Sequence, residues 1–423
     1  MQNQNQIQTP RYTAAMTFMS LLFFMWGFVT CLNDMLIPHL KALYHLDYAR
    51  AMLVQFCFFG AYLVMSLPMA LLLKKLRYKA SMSLGMSIAG IGCLLFIPAA
   101  YIDSYACFLI GLFVLASGIV LLQVAANPYV TFLGSIESAS SRLTLAQAVN
   151  SLAYTLAPFF GAVLILATPV LTDQQKALLN PAAMAQYKTA IIHTVQTPYL
   201  LLAILFFVIA FIISIFKLPK FDASVSVASI DNHNAPKIWD HPYLFLGALA
   251  IFLYVGAEVS TGSFIVNYLG LPQIASMAPK QAAHYVSVYW GGAMIGRFLG
   301  SWILSKTIPA RVIMFNAAVA TILLIISVIA SGAISMWAIL SMGFFNSILF
   351  PTIFSLSIRG LGELTSVGSG ILCAAIVGGA IIPEIQGIIA DHIGPQNSFL
   401  LLIVCYLVIL CFGWMSYRRA VSA

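Results

Sequence analysis

The chain consists of apolar stretches of about 20 residues that follow one another with mostly short polar connections. Such a stretch is what an α-helix needs to cross the hydrocarbon core of a bilayer. Only 8% of the 423 residues are charged, whereas an ordinary soluble domain has about 25%. The sequence therefore predicts an all-α membrane protein. Its net charge of +8 predicts no nucleic-acid partner, because the basic residues form short clusters between apolar stretches.

The apolar pattern predicts twelve transmembrane helices in two pseudo-symmetric six-helix bundles. Only two connections are long, 169–195 and 218–241, and the second lies near the middle of the chain. Residues 218–241 are predicted to be a cytoplasmic linker between an N-terminal bundle, 1–217, and a C-terminal bundle, 242–423. The predicted helices are 13–37, 49–73, 80–100, 104–133, 142–168, 196–217, 242–270, 282–304, 311–331, 334–358, 365–390 and 397–417.

Lysine and arginine residues fall mainly on one side of the predicted membrane. Because loops rich in these residues stay in the cytoplasm, both termini are predicted to be cytoplasmic, in a bacterial cytoplasmic (inner) membrane. Arg297 alone falls inside a predicted helix. The cytoplasmic side then holds Arg11, Lys74, Lys75, Arg77, Lys79, Arg142, Lys217, Lys220, Lys237, Lys306, Arg311, Arg359, Arg418 and Arg419, and the opposite side only Lys41, Arg50, Lys176, Lys188 and Lys280.

Two intrahelical prolines recur at corresponding places in the two halves. Pro128 corresponds to Pro351 and Pro158 to Pro383, each pair about 225 residues apart. Such an internal repeat is typical of transporters that hold their substrate near the midplane, between the halves. A proline inside a helix also frees a carbonyl, which only a cavity or a neighbouring helix can satisfy.

Two carboxylates lie inside predicted helices, where a charge costs roughly 2.5–3.5 kcal/mol at the helix centre. Asp34 and Glu258 are therefore predicted to bind the substrate and to couple its transport to protons. Asp34 could instead lock two helices together, and Glu258 could lie nearer the interface. Arg297 is interpreted as a gate or structural partner rather than as a ligand of the substrate. The role of Glu384 stays open.

Intramembrane amides form the second group of candidates. Residues three or four apart share one face of a helix, and two amide pairs have this spacing. Because an amide both donates and accepts hydrogen bonds, it suits a ligand covered in hydroxyl groups. A lone amide can instead bridge two packed helices. The amides predicted to bind substrate are Asn33, Gln123, Asn127, Gln147, Asn150, Asn267 and Asn346.

Motifs of catalysis and metal binding are absent from the sequence. It contains no phosphate-binding GxxxxGK[ST] loop and no HExxH or GxSxG element in a suitable place. The seven cysteines lie in apolar stretches without metal-like spacing, and the histidines lie in loops or at helix ends. We therefore expect no cofactor, no metal and no enzymatic activity. A membrane receptor or sensor and an exporter of drugs or organic anions stay open as alternatives.

Several motifs resemble one known family in order and spacing. They are LNDMLIP at 32–38, AANPYV at 125–130, RLTLAQ at 142–147, VQTPY at 195–199 and FPTIFSL at 350–356. They resemble the fucose–proton symporter family of the major facilitator superfamily, which includes glucose/galactose and N-acetylglucosamine transporters. The resemblance implies that Asp34 takes part in proton coupling and sugar binding. It also places Gln147 and Asn150 in the sugar cavity.

Two positions depart from the fucose transporter. Gln123 stands where that transporter has a second essential carboxylate. Glu258 stands where that transporter has an amide and where the glucose/galactose relatives typically have glutamate. The resemblance therefore implies import of a hexose such as glucose or galactose, coupled to protons by alternating access. Because glutamine cannot titrate, sodium coupling or uncoupled transport stays open, as does L-fucose or N-acetylglucosamine as substrate. The expected partners are a monosaccharide, a proton or sodium ion and the lipid bilayer, and the chain is expected to act as a monomer.

Overall fold

The computed structural model describes residues 9–43, 48–102, 104–164, 175, 178–219, 221 and 237–422. Throughout this part the secondary structure is helical, with no strand. The α-helices are α1 (Thr9–Leu43), α2 (Tyr48–Ile102), α3 (Tyr105–Phe132), α4 (Ala139–Leu164), α5 (Pro181–Ile215), α6 (Pro242–Leu269), α7 (Pro279–Leu304), α8 (Pro309–Ile329), α9 (Gly332–Asn346), α10 (Leu349–Ser357), α11 (Thr365–Ala374), α12 (Gly378–Ile393) and α13 (Leu400–Ser422).

These helices account for twelve membrane crossings. Helix α2 supplies two of them, because its backbone turns at Arg77 (φ 65°, ψ 168°). Helices α9 and α10 follow one another as one crossing, and α11 and α12 form another, joined by a 3₁₀ turn at Ala375–Val377. Within the described residues, nine stretches are long and apolar enough to span a bilayer, one of which covers both arms of α2.

The predicted long connection at 169–195 is wrong in its second half, because helix α5 already begins at Pro181. The Asn180 side chain accepts a hydrogen bond from the Ala183 backbone N–H at 2.8 Å and so caps the helix. Pro181 occupies the first turn, where its missing N–H is no loss. The first turns of α5 were not predicted, because their residues are polar and the prediction relied on apolar stretches. Apolar stretches indicate contact with lipid rather than helix formation.

Two prolines free carbonyls, as the sequence predicts, and side chains of other helices satisfy both. Pro351 cannot donate to the Ser347 carbonyl four residues earlier, and this oxygen accepts from Arg297 Nε at 3.0 Å. Pro128 likewise frees the Val124 carbonyl, which accepts from Ser369 Oγ at 2.8 Å. The second of these bonds joins the two halves of the chain.

The halves meet along a seam in which α4 packs on α7 and α2 packs on α11. Ser140 and Ser355 are joined by their hydroxyls at 2.7 Å, and Ser141 Oγ donates to the Ser301 carbonyl at 2.7 Å. Gly370 lets α2 and α11 approach closely, because a Cβ at this position would lie 2.7 Å from the Ala70 Cβ. Small and hydroxyl-bearing side chains therefore close the seam.

One end of the molecule, here called the basic face, carries Lys306 and Arg359, which line one cavity, as well as Arg311 and Arg419. Arg311 donates to the Tyr417 hydroxyl at 2.9 Å, and the Arg419 guanidinium lies 4.4 Å from the centre of the Tyr243 ring. Near the other terminus, Phe18 of α1 stacks on Phe216, with 4.8 Å between ring centres. Phe221, five residues after Phe216, lines a cavity at the basic face together with Ala420 of α13, so the first and last described helices have their terminal ends at the same face.

Candidate functional site

A cavity of about 360 Å³ lies between the two halves of the chain, on the side of the closed seam that is away from the basic face. Its volume lies within the roughly 300–1,000 Å³ that small-molecule sites occupy. Helices α1 to α4 contribute one wall, and α6, α7, α10 and the 3₁₀ turn after α11 contribute the other. Its polar and aromatic lining residues are Trp26, Thr30, Gln55, Phe58, Phe59, Tyr62, Gln123, Gln147, Asn150, Ser151, Tyr154, Glu258, Ser263, Trp290, Arg297 and Phe350.

Three predicted amides meet on the N-terminal wall. Gln123 Nε2 donates to the Tyr62 hydroxyl at 2.6 Å, which fixes its amide plane. Asn150 Nδ2 donates to the Phe23 carbonyl at 2.7 Å, so its Oδ1 is left to accept from a ligand. Gln147 lines the same cavity and makes no side-chain hydrogen bond to another described residue, so both its amide atoms are available. The wall therefore offers donors and acceptors at fixed positions.

Asn150 depends on a glycine of the neighbouring helix. A Cβ at Gly27 would lie 2.5 Å from Asn150 Nδ2 and 2.7 Å from the Asn150 carbonyl oxygen. Contacts this short do not occur for real Cβ atoms, so α1 and α4 reach their present distance only because residue 27 is glycine. The asparagine amide is thereby pressed against α1 and held at the cavity wall.

Glu258 and Arg297 form an ion pair on the C-terminal wall. Arg297 Nη2 lies 3.1 Å from Glu258 Oε1, and the two side chains are only 11% and 12% exposed. The same guanidinium donates through Nε to the Ser347 carbonyl and through Nη1 to the Ser151 hydroxyl of α4. One side chain thus joins α6, α7 and the break between α9 and α10 to the N-terminal half. Removing either charge would leave the other poorly compensated.

Asn346 stands behind this wall rather than in it. It is completely buried, donates to the Tyr289 hydroxyl at 3.0 Å and accepts from the Tyr406 hydroxyl at 2.5 Å. Tyr289 in turn donates to the Glu258 backbone carbonyl at 3.1 Å. Asn346 therefore bridges packed helices, which is the alternative that a lone amide leaves open, and this network supports the backbone that carries Glu258.

Two further predicted residues, Asn127 and Asn267, lie outside the cavity lining. Asn127 is completely buried one helical turn from Gln123, and neither of its amide atoms has a hydrogen-bond partner among the described residues. Asn267 is exposed, one turn beyond Ser263 on α6. Asn33 and Asp34 belong to helix α1, but their side chains lie outside the described residues.

Two polar lining residues, Gln55 and Ser151, were missed by the sequence analysis, whereas the aromatic residues Tyr154 and Trp290 are among those that the sequence offers for stacking on a ligand ring. Gln55 is an intramembrane amide on α2 and could have been found by the same criterion as the other amides. Ser151 gives no such signal, because serine is common in membrane helices and its contact with Arg297 depends on how the halves pack. Tyr154 and Trp290 stack from opposite halves, with 6.3 Å between ring centres and 23° between planes, and offer apolar faces to a sugar ring.

Helices crossing a membrane in two packed halves around one polar central cavity define a secondary transporter. The chain belongs to the Major Facilitator Superfamily, whose sequence profile matches residues 17–375. This family confirms the predicted fold of two six-helix bundles and the predicted resemblance.

The individual similarities extend over nearly the whole chain. A glucose/galactose transporter of Brucella abortus (strain 2308) is 53% identical over 402 residues, covering 95% of this chain and 94% of that protein. The L-fucose-proton symporter of Escherichia coli (strain K12) is 33% identical over 427 residues, covering 98% and 96%. A crystal structure of the transporter FucP in the outward conformation superimposes with a TM-score of 0.86 at 33% identity, covering 96% of this chain and 99% of that one.

Proposed function

We propose that the protein imports a hexose, glucose or galactose, together with protons. The cavity between the halves carries this proposal, since Gln123, Gln147 and Asn150 present neutral amide groups there and Tyr154 stacks on Trp290. Amides satisfy the alternating donors and acceptors of sugar hydroxyls. The relatives named as a glucose/galactose transporter and an L-fucose-proton symporter support both the substrate class and the coupling ion.

Asp34 is the residue we assign to proton coupling. It follows Thr30, a lining residue, by four positions in helix α1, and residues with this spacing share a helix face. Glu258 is the second candidate, and it lines the cavity directly. Because its carboxylate is paired with Arg297 at 3.1 Å, it can take up a proton only if this pair loosens. We therefore assign Glu258 first to the sugar and second to the proton.

The chain is further proposed to lie in the bacterial cytoplasmic membrane as a monomer surrounded by lipid. Large apolar side chains such as Phe211 and Ile329, 66% and 77% exposed, suit contact with lipid. The excess of lysine and arginine at the basic face supports a cytoplasmic position of both termini. The proposed halves are 1–217 and 242–423, with 218–241 as their linker. The proposal includes no enzymatic activity.

Counterflow of radiolabelled sugar into proteoliposomes tests the substrate. The purified protein should exchange glucose or galactose faster than L-fucose and N-acetylglucosamine, and Gln147→Leu should abolish this exchange. Thr321→Val is the matched control, because Thr321 is buried in α8 and, within the described part of the chain, donates only to the Ala317 carbonyl of its own helix. Exchange of L-fucose alone, or of none of the four sugars, would contradict the proposal.

A further inference from the structure

Below the cavity, towards the basic face, four helices bury polar side chains without hydrogen-bond partners among the described residues. All four side chains are at most 1% exposed. A buried polar group without a partner costs roughly 1–3 kcal/mol, so such groups are rare without a functional reason. These residues are Ser66 of α2, Asn127 of α3, Thr144 of α4 and Ser366 of α11.

The helical spacing of α3 and α4 places two of these groups directly beneath the cavity. Gln123 lines the cavity, and Asn127 follows it on the same face of α3 after four residues. A rise of 1.5 Å per residue puts Asn127 about 6 Å deeper. Helix α4 runs the opposite way, and Thr144 precedes the lining residue Gln147 by three positions. Both side chains therefore continue the polar wall downwards.

The same two faces reach a second cavity at the basic face. This cavity has a volume of about 1290 Å³ and lies between the halves. Thr131, one turn beyond Asn127, and Ser140, one turn before Thr144, both line it. Asn127 and Thr144 thus lie between the two cavities. Helices α3 and α4 each have a lining residue in both cavities and one of these polar residues between them.

The remaining two groups lie in the closed seam of the other helix pair. Ser66 is one turn below the lining residue Tyr62, and a Cβ at Gly370 would lie 3.0 Å from the Ser66 carbonyl oxygen. Ser366 precedes by three positions Ser369, which donates across the seam to the Val124 carbonyl. Ser366 also follows Thr365, a lining residue of the second cavity. The contacts that shut the seam here are hydroxyl bonds and small side chains.

We propose that these four residues form a second sugar site, here called the release site, which is shut in this structure and exposed when the seam opens at the basic face. This inference rests on the proposed function. Three hydroxyls and one amide, with no charged side chain among them, suit a neutral polyhydroxylated ligand rather than an ion. Opening of the seam exposes these polar groups. The departing sugar then supplies the hydrogen bonds that they lack in the closed state.

Two near-isosteric variants test the release site, Thr144→Val and Asn127→Leu, with Thr321→Val as the matched control. Since Thr144 and Asn127 make no hydrogen bond to other described residues, both variants should melt at the wild-type temperature or above in detergent. Sugar binding to the cavity lined by Gln123, Gln147 and Asn150, followed by tryptophan fluorescence, should stay within about twofold of wild type. Counterflow of glucose or galactose should fall about fivefold or more, the effect of losing one or more hydrogen bonds.

Wild-type counterflow in both variants would overturn the release site, and so would a lower melting temperature, which would reveal a stabilising bond in the closed state. Counterflow reduced equally in Thr321→Val would also overturn it, because the effect would then follow any lost hydroxyl. If wild type neither binds nor exchanges any sugar, the proposed function fails instead. The melting temperatures still test, in that case, whether these polar groups are unsatisfied.

Discussion

Arg297 and Glu258 face each other at 3.1 Å in the cavity wall, and the same guanidinium also donates to Ser151 in the other half of the chain. The ion pair is almost entirely shielded from solvent, so it is only weakly screened. A ligand hydroxyl that binds Glu258 competes with Arg297 for the carboxylate. If Glu258 binds the sugar as proposed, sugar binding and the contact between the halves are linked through the Arg297 side chain.

Replacing Arg297 by glutamine should destabilise the protein, because the buried Glu258 carboxylate loses its partner. Breaking a buried pair from one side costs about 3–5 kcal/mol. The double variant Glu258→Gln/Arg297→Gln removes both charges and should recover most of the lost stability. Thermal unfolding in detergent measures this. A double variant no more stable than Arg297→Gln alone would show that the carboxylate is not what destabilises the single variant.

Replacing Arg297 by lysine should slow transport without unfolding the protein. Lysine keeps the charge, but a single ammonium cannot reproduce the planar fork that reaches three partners at once. Loss of two hydrogen bonds from a charged donor predicts at least a tenfold fall in sugar counterflow. Arg311→Lys at the basic face is the control, since Arg311 contacts Tyr417 rather than the cavity. Equal counterflow rates in both variants would show that the Arg297 guanidinium is not needed for transport.

Pro351→Ala tests how the proline controls that arginine. Alanine restores a backbone N–H that can bond to the Ser347 carbonyl, the acceptor that Arg297 Nε uses at 3.0 Å. The helix should straighten, and counterflow should fall about tenfold or more, as expected when one hydrogen bond from a charged donor is lost. The control is Pro68→Ala, at an exposed position of α2. Unchanged counterflow in Pro351→Ala would show that the broken helix is not needed.

Gly27→Ala should weaken sugar binding, because the added Cβ would meet Asn150 Nδ2 at 2.5 Å. The asparagine must then leave its bond to the Phe23 carbonyl or α1 must move away. Overpacking of this kind typically costs 1–3 kcal/mol, so the dissociation constant should rise about tenfold. Gly60→Ala is the matched control, since a Cβ there meets nothing within 4 Å. The affinity is measured by titrating the protein with sugar and following its intrinsic fluorescence. Equal affinities of Gly27→Ala and Gly60→Ala would contradict the assignment of Asn150 to the sugar site.

Tyr62→Phe should reduce affinity more modestly. The variant removes only the hydroxyl that accepts from Gln123 Nε2 at 2.6 Å, so the amide loses its fixed orientation. A neutral hydrogen bond contributes about 0.5–1.5 kcal/mol, which corresponds to a two- to tenfold rise in the dissociation constant. Tyr285→Phe serves as control, as no hydrogen bond of its hydroxyl to a described residue is seen. A Tyr62→Phe protein that binds as tightly as wild type would leave Gln123 without a role at the site.

The sequence predicted the fold well, because each of three features indicates one part of it. Long apolar stretches indicate the membrane-spanning helices, the distribution of basic residues indicates their direction, and the repeated prolines indicate two similar halves. The amide spacing on α3 and α4 correctly indicated shared helix faces, but spacing gives the face and not the depth. Asn127 shares the face of Gln123 and still lies below the cavity. The Glu258–Arg297 pair could not be predicted, because it depends on how α6 and α7 pack.

The role of Asp34 in proton coupling is the central claim, and uptake driven by a proton gradient tests it most directly. Radiolabelled glucose or galactose uptake into proteoliposomes is compared, with and without an inward proton gradient, for wild type, Asp34→Asn and Glu258→Gln. The account predicts that wild type accumulates sugar only with the gradient and that Asp34→Asn loses accumulation but keeps counterflow. Accumulation that ignores the gradient, or that survives in Asp34→Asn, would contradict the account and favour sodium or Glu258 in the coupling role.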